Sequence, residues 1–268
     1  GLDEVIAGGR TEMERQARLI HWAHTCFDIG DPVREVSPGV FEKMAGWRNA
    51  LKILALAEKE QKFFCTQYAA VLVSAAASLG WICRPLEHST HTWSEMWSNQ
   101  FGRWYHCDAT SDYFWEQAGV PIDTYTAQKA AKEGARNLAV VVNGKKTGRA
   151  IREYTFYHYV THTNWLDLER GYGRFYHISV ADNRGGFDSR QLTDDDAASV
   201  VLFPINQAAL SFRPHAEGLE VSIRTMTPNF KTFLVRVDGK EWKESGEVVV
   251  WRLHGGTNSF EAKAVNLF

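Results

Sequence analysis

The segment FFCTQYAAVLVSAAASLG, from Phe63 to Gly80, constrains the fold of this chain more than any other. It is alanine-rich, apolar almost all round, about four turns long and stopped by a glycine, the pattern of a helix buried on every side. Such a helix belongs in the middle of a core, so other elements must surround it. Its apolar run, Tyr68 to Ile82, is interrupted by Ser74, Ser78 and Gly80. It is also shorter than the ~20 residues needed to cross a bilayer, so it is not a membrane span. With 268 residues, 44% hydrophobic and 13% aromatic, the chain has ample material for such a core, which excludes disorder and coiled coil. That length suits one large domain, or one domain with a smaller companion. Lys and Arg number 30 against 32 Asp and Glu, a formal charge of −2, so nothing marks a nucleic-acid or anionic-membrane partner.

Upstream of this helix the chain reads as helical. In TEMERQARLIHWAHTCF, Met13, Ala17, Ile20 and Ala23 recur at helical spacing, with acidic residues early, as the helix dipole prefers. After the Pro- and Gly-bearing DIGDPVREVSPG, Phe41, Met44, Trp47, Leu51, Leu54 and Leu56 predict a second helix over 40–60. Downstream the period changes. HTWSEMW and RWYHCDAT alternate around the polar link SNQFG, which predicts a hairpin. A further helix is predicted over 126–135, and two strands around an Asn143-Gly144 turn. Beyond Ser199 only short strands remain, VVLFP, ALSF, LEVSIRT, FLVRVDG, GEVVVWRL and FEAKAV, several separated by turns such as Asp238-Gly239 and Gly255-Gly256. That is the signature of a small β-sandwich. The expected organisation is an α+β domain over 1–198 and an all-β module over 199–268.

Chemistry concentrates around the buried helix. Cys65 stands at its head, where backbone N–H groups lower a thiol's pKa and can receive an oxyanion. If Trp97 pairs with Trp104 in the hairpin, then Trp93 pairs with Asp108, and His91, Trp93, Glu95, Trp104, His106 and Asp108 share one face. His91 and Asp108 are then diagonal neighbours. A two-residue slip makes them directly opposite, and a one-residue slip separates them onto opposite faces. In the favoured registers a carboxylate orients an imidazole whose other nitrogen is free for a thiol, the nucleophile–base–orienter arrangement of thiol acyl transfer.

The stretch CTQYAAVLVSAAASLGWICRPLEHSTHTWSEMWSNQFGRWYHCDAT resembles the transglutaminase-like core. The shared pattern is a Cys opening a helix, an alanine-rich run to Gly, an apolar pair then Arg, His-x-Trp-x-Glu, an aromatic-rich strand and an Asp. Here these are Cys65, Gly80, Arg84, His91, Trp93, Glu95, Trp104 and Asp108, within roughly residues 45 to 115. The resemblance implies a papain-like fold with Cys65 as nucleophile, His91 as base and Asp108 as orienter, and a thioester intermediate resolved by water or an amine. The strands after residue 200 resemble the Ig- or fibronectin-like modules often appended to such cores. Two departures matter. Lys62-Phe63-Phe64 precede Cys65 where many members carry a Gly, and the Gln-Cys-Trp of the animal cross-linking enzymes is absent. Asp194-Asp195-Asp196 reads as a helix N-terminus rather than a calcium loop. Hydrolysis of an amide, peptide or glycopeptide is therefore expected over cross-linking, with no cofactor or metal required.

Other residues admit quieter readings. His88, three before His91, lacks the His-x-Trp-x-Glu context for a base. A metal site drawn from Cys65, His88, His91, His106, Cys107 and Asp108 is disfavoured because residues 106 to 108 alternate faces, so that only His106 and Asp108 could join His91. Glu95 is expected in an ion pair with Arg84 or Arg103. Trp93 and Trp104 are expected either in the core or as walls of an acyl groove. Gln61 is a candidate second oxyanion donor, and His106 is read as a sheet-surface or groove histidine. Cys83 and Cys107 read as small buried residues, with a bridge between them open only to an exported form. The aromatic block from Tyr154 to His177 offers Tyr157 and Trp165 to a peptide or a sugar. From it comes the alternative of an exported glycan-binding or glycan-processing protein. The chain begins GLDEV, as a mature form with its targeting segment removed would. The appended module leans the localisation toward export.

Overall fold

A computed structural model describes residues 1–44, 48–88, 90–152, 157–160, 177–180, 190–191, 206, 208–225, 227 and 230–266; over 153–205 the description is of backbone only. The architecture is α+β, and the sheets are almost entirely antiparallel. The chain divides into two compact units, Gly1–Phe203 and Pro204–Phe268. Among the described residues no helix is long and apolar enough to cross a membrane.

The first unit opens with α1 (Leu2–Ile6) and α2 (Glu12–Thr25). Thr11 caps α2 by accepting the Glu14 N–H, and Gln16, Leu19, Ile20 and Ala23 form its buried stripe at helical spacing. The helix expected over 40–60 is a correction. Val33–Ser37 (β1) and Val40–Lys43 (β2) form a hairpin, and among the described residues of that stretch only Ala50–Ala57 (α3) is helical. The cause lies in the turn: Gly39 takes φ 75, which glycine adopts freely, and the Val40-Phe41 pair suits a strand. Asn49 then caps α3 by accepting the Lys52 N–H at 3.1 Å.

The central helix, α4, runs Cys65–Ser78 and is buried on nearly every side from Thr66 to Ala76. It stops at Gly80, which adopts φ 79. The Gly80 N–H bonds Ala77 C=O and the Trp81 N–H bonds Ala76 C=O, a Schellman motif that closes the last turn. Small side chains let neighbouring elements approach from all directions, and each larger one fully buried among them, such as Leu72, contributes about 1.5–3 kcal/mol.

The strands that follow are β3 (Cys83–His88), β4 (His91–Ser98), β5 (Arg103–Asp108), β6 (Tyr113–Gln117) and β7 (Val120–Pro121). After α5 (Thr124–Lys132) come β8 (Leu138–Val142), β9 (Lys145–Thr147), β10 (Tyr157–Val160), β11 (His177–Val180) and β12 (Arg190–Gln191). They form one sheet in the order β12-β11-β10-β3-β4-β5-β6-β8-β9, with β7 beside β6. The β4–β5 register sets Trp97 opposite Trp104 and Ser94 opposite Cys107. Asn143 and Gly144 take φ 45 and 73 between β8 and β9, the left-handed pair a two-residue hairpin turn requires.

Both faces of this sheet are covered, which is why all eight residues of β4 are buried. On one face Met96, Tyr105, Cys107 and Phe114 pack with α2, α3 and α4. On the other, Trp93, Tyr113, Trp115 and Val140 pack with Ile122 and with Ala127 of α5. Glu12, at the start of α2, fastens the β4–β5 link by accepting from the Ser98 hydroxyl and the Asn99 and Gln100 N–H groups.

The second unit contains β13 (Ala209–His215), β14 (Gly218–Arg224), β15 (Phe230–Val237), β16 (Lys243–Ser245), β17 (Val248–Trp251) and β18 (Phe260–Asn266). They make two three-stranded sheets, β13-β14-β17 and β16-β15-β18, around Val221, Ile223, Phe233 and Ala264. The predicted strand VVLFP and the acidic run Asp194–Asp196 lie outside the described residues.

Candidate active site

Three termini meet at one point. Cys65 is the first residue of α4, His91 the first of β4 and Asp108 the last of β5. Because β4 and β5 are antiparallel and in register at Trp97–Trp104, His91 and Asp108 fall diagonally across the ladder on the same face. His91 Nε2 and Asp108 Oδ2 are 2.8 Å apart, and both side chains are buried. The other carboxylate oxygen, Oδ1, accepts the Thr110 N–H at 2.9 Å. With Nε2 engaged, Nδ1 is the nitrogen of His91 left for the half-buried Cys65 thiol.

The electrostatics follow from this chain of contacts. Burial alone raises a thiol's pKa. The hydrogen bond and charge of His91, with the backbone N–H and side chain of Thr92, outweigh it and hold Cys65 below the ordinary value. Burial alone depresses an imidazole, yet its hydrogen bonds to Asp108 and Cys65, and their charges, lift His91 to about 9. Asp108 is pushed up by burial and brought below the usual carboxylate range by the His91 hydrogen bond and charge. All three shifts run toward a thiolate–imidazolium pair backed by a carboxylate. Cys26, by contrast, is pushed up to about 11 by burial.

Cys65 also lies at the positive end of α4. Its N–H and that of Thr66 precede the first intrahelical bond, which runs from the Gln67 N–H to Phe64 C=O. Backbone donors at that position can receive an oxyanion forming beside the sulfur.

The remaining predicted residues fall elsewhere. Gln61 does not serve as the second oxyanion donor here: its Nε2 donates to the carbonyls of Lys62 at 2.9 Å and Val33 at 3.4 Å. His106 is not a surface or groove residue. It is fully buried, stacked on Trp115 with ring centroids 3.5 Å apart, and flanked by Tyr113 and Trp93. Trp93 and Trp104 are core residues rather than groove walls, at 1% and 6% exposure. The reason is the same for all three: the second face of the sheet is roofed over. Trp93 still touches the site, stacking beside His91 at 5.9 Å, and its Nε1 donates to Thr124 Oγ1 at 3.0 Å.

Glu95 is fully buried and structural. One oxygen accepts from Arg84 Nη2 at 2.6 Å and Nε at 3.0 Å, and the other accepts the Thr124 N–H at 2.7 Å. Arg84 in turn lies over the Trp104 ring at 4.0 Å. His88 faces His91 across the β3–β4 turn and bonds Thr90, so the base position falls to His91. Cys83 and Cys107 lie on β3 and β5 with β4 between them. Two strand spacings, roughly 9–10 Å, exceed the ~7 Å limit for a disulfide, so a bridge needs backbone movement. Tyr157 opens β10, whose next residue, His158, pairs with Glu87 near the same end of the sheet. Trp165 and most of the aromatic block lie outside the described residues.

Sequence reasoning missed Thr92 and Thr124. Thr92 lies between two residues already singled out, and alternation sets it on the opposite face, the one that Met96 shares with α4. Thr124 follows Asp123, whose carboxylate accepts the Thr126 N–H at 2.8 Å, an N-cap signal legible in the order Asp-Thr-Tyr-Thr. No family model matches the chain, and no curated protein matches it at a significant level.

Proposed function

We propose that this protein is a cysteine-dependent acyl-transfer enzyme of transglutaminase-like type, acting on amide or peptide bonds and releasing the acyl group to water. The observation that carries this reading is the buried His91–Asp108 hydrogen bond at 2.8 Å, with Cys65 at the head of α4 held low by the charge of His91. The Cys65 thiolate attacks the carbonyl carbon, and the oxygen becomes an oxyanion beside the N–H groups at the start of α4. Collapse expels the amine, which takes its proton from His91, and leaves a thioester on Cys65. Neutral His91 then deprotonates a water whose attack frees the acid and restores the thiol. Asp108 keeps the imidazole in one tautomer and steadies its charge.

The test is the pH dependence of Cys65 alkylation by iodoacetamide, read by peptide mass spectrometry. Alkylation with a midpoint well below ~8.5, the value of a free cysteine, and loss of that reactivity in His91→Ala support the ion pair. A thioester trapped on Cys65 during incubation with a panel of amides and peptides, absent in Cys65→Ala, supports the reaction. A Cys65 that reacts as an ordinary thiol in both proteins overturns it.

A further inference from the structure

A column of aromatic rings stands beside the base. His91 and Trp93 are two apart on β4 and share a face, and their rings are nearly parallel, 19° between planes with centroids 5.9 Å apart. The register sets His106 of β5 opposite Glu95, one step further along β4, so the indole stands between two imidazoles. His106 stacks with Trp93 at 6.1 Å and with Trp115 at 3.5 Å. The indole is held in place: its Nε1 donates at 3.0 Å to the hydroxyl of Thr124, itself fully buried at the start of α5. The two imidazoles differ in their surroundings. His91 bonds the Asp108 carboxylate at 2.8 Å, whereas neither ring nitrogen of the fully buried His106 has a hydrogen-bond partner among the described residues. A proton on His106 would be a buried cation with no acceptor, so that ring stays neutral.

The geometry points to Trp93 as a positioning residue for the base: its indole face supports the imidazolium of His91 by a cation–π contact and holds that ring in the plane of its bond to Asp108. The role rests on His91 being the base proposed above. A cation within about 6 Å of an indole centroid is attracted by the negative face of the ring, and most strongly where water is excluded. Both conditions hold here, at 5.9 Å and with His91 8% exposed. The neutral His106 matters as well, because the indole then faces one cation rather than two. Asp108 and Trp93 act in perpendicular directions, the carboxylate on the edge of the imidazole and the indole on its face. The titratable groups around His91 are Asp108 and His106 on β5, Cys65 at the head of α4 and His88 opposite it on β3. Among the described residues, Trp93 is the aromatic side chain stacked on His91.

The experiment titrates His91 by NMR in intact chains labelled with 13C at histidine Cε1, its resonance assigned by its loss in His91→Ala. The chains are wild type, Trp93→Phe, Trp93→Leu and a series with mono-, di- and trifluorotryptophan placed at position 93 alone. Fluorine draws electron density from the indole face and leaves its shape nearly unchanged. The His91 midpoint is expected to fall stepwise along the fluorinated series. It is expected to fall by about one pH unit in Trp93→Leu, and by less in Trp93→Phe, which keeps a weaker π face. The midpoint of Cys65 alkylation by iodoacetamide is expected to rise in parallel, since a less favoured imidazolium supports the thiolate less. A His91 midpoint unchanged along the fluorinated series overturns the inference. So does a Trp93→Phe shift as large as that of Trp93→Leu, because packing would then be the cause. If Trp93→Leu does not fold, the fluorinated series decides, since it keeps the indole in place. A failure of the acyl-transfer reading is distinguishable: there wild-type Cys65 alkylates as a free thiol and His91→Ala does not change it, whatever His91 does along the fluorinated series.

Discussion

At the scale of single residues, the site works by setting two groups against their own burial. His91 and Cys65 are each disfavoured as ions by desolvation, and each favours the charged form of the other. The pH dependence of turnover follows. Activity is expected to rise as the thiol ionises below its usual range and to fall as His91 loses its proton near 9. Asp108→Ala removes the hydrogen bond that lifts His91, so burial prevails and the upper limb moves to lower pH, with turnover reduced. Cys65→Ala and His91→Ala are expected to abolish turnover while leaving the fold intact. Initial rates on an amide substrate across pH 5–11 check all three; an upper limb that does not move in Asp108→Ala would contradict the role given to that carboxylate.

His106 makes a separate prediction. Burial drives its imidazole down to about 3, so between that value and the ~6.5 of an exposed histidine the unfolded chain binds a proton that the folded chain does not. Stability present above ~6.5 is therefore lost as pH falls toward 3. Asp123 acts in the opposite sense, since burial and nearby Glu95 raise it to about 6. The difference between wild type and His106→Phe isolates the histidine. The phenylalanine, which keeps the stack on Trp115, is expected to flatten the acid limb of Tm against pH. An unchanged limb would mean His106 does not carry it.

At the scale of elements, the site depends on brackets some distance from the sulfur. Glu95 ties β4 to β3 through Arg84 and to the start of α5 through the Thr124 N–H, and Thr124 holds Trp93 beside His91. Removing Arg84 leaves a fully buried carboxylate without its cation, so Arg84→Ala is expected to cost about 3–5 kcal/mol in urea unfolding. A cost under about 1 kcal/mol, the range of exposed pairs, would show that the pair is not felt as buried. Much of this level was legible. The buried helix, its glycine stop, the β4–β5 register and the Asn143-Gly144 turn follow from periodicity and turn chemistry. The β1–β2 hairpin was not, because Phe41 and Met44 continue the spacing of α3 and only the left-handed Gly39 separates strand from helix.

At the scale of the whole molecule, each unit has its own core. The first is built on α4 and the two faces of the sheet, the second on Val221, Ile223, Phe233 and Ala264. Phe233→Ala is expected to lower the stability of the second unit by about 3–5 kcal/mol while Cys65 keeps its alkylation profile. Differential scanning calorimetry beside the alkylation assay checks this. A joint loss of both would show that the units fold as one.

The sequence by itself determined which residues are able to do chemistry: a cysteine at the head of an all-apolar helix, and a histidine and an aspartate whose strand positions share a parity. Those are local facts, set by periods of 3.6 and 2. Only the tertiary structure decided which neighbours are covered. Ala127 of α5 packs beside Trp93, Trp115 covers His106 and Arg84 lies over Trp104, which makes all three core residues, and α4 lying against β4 brings the head of one to the head of the other. Burial and contact of this kind depend on elements far apart in the chain, and no local period records them.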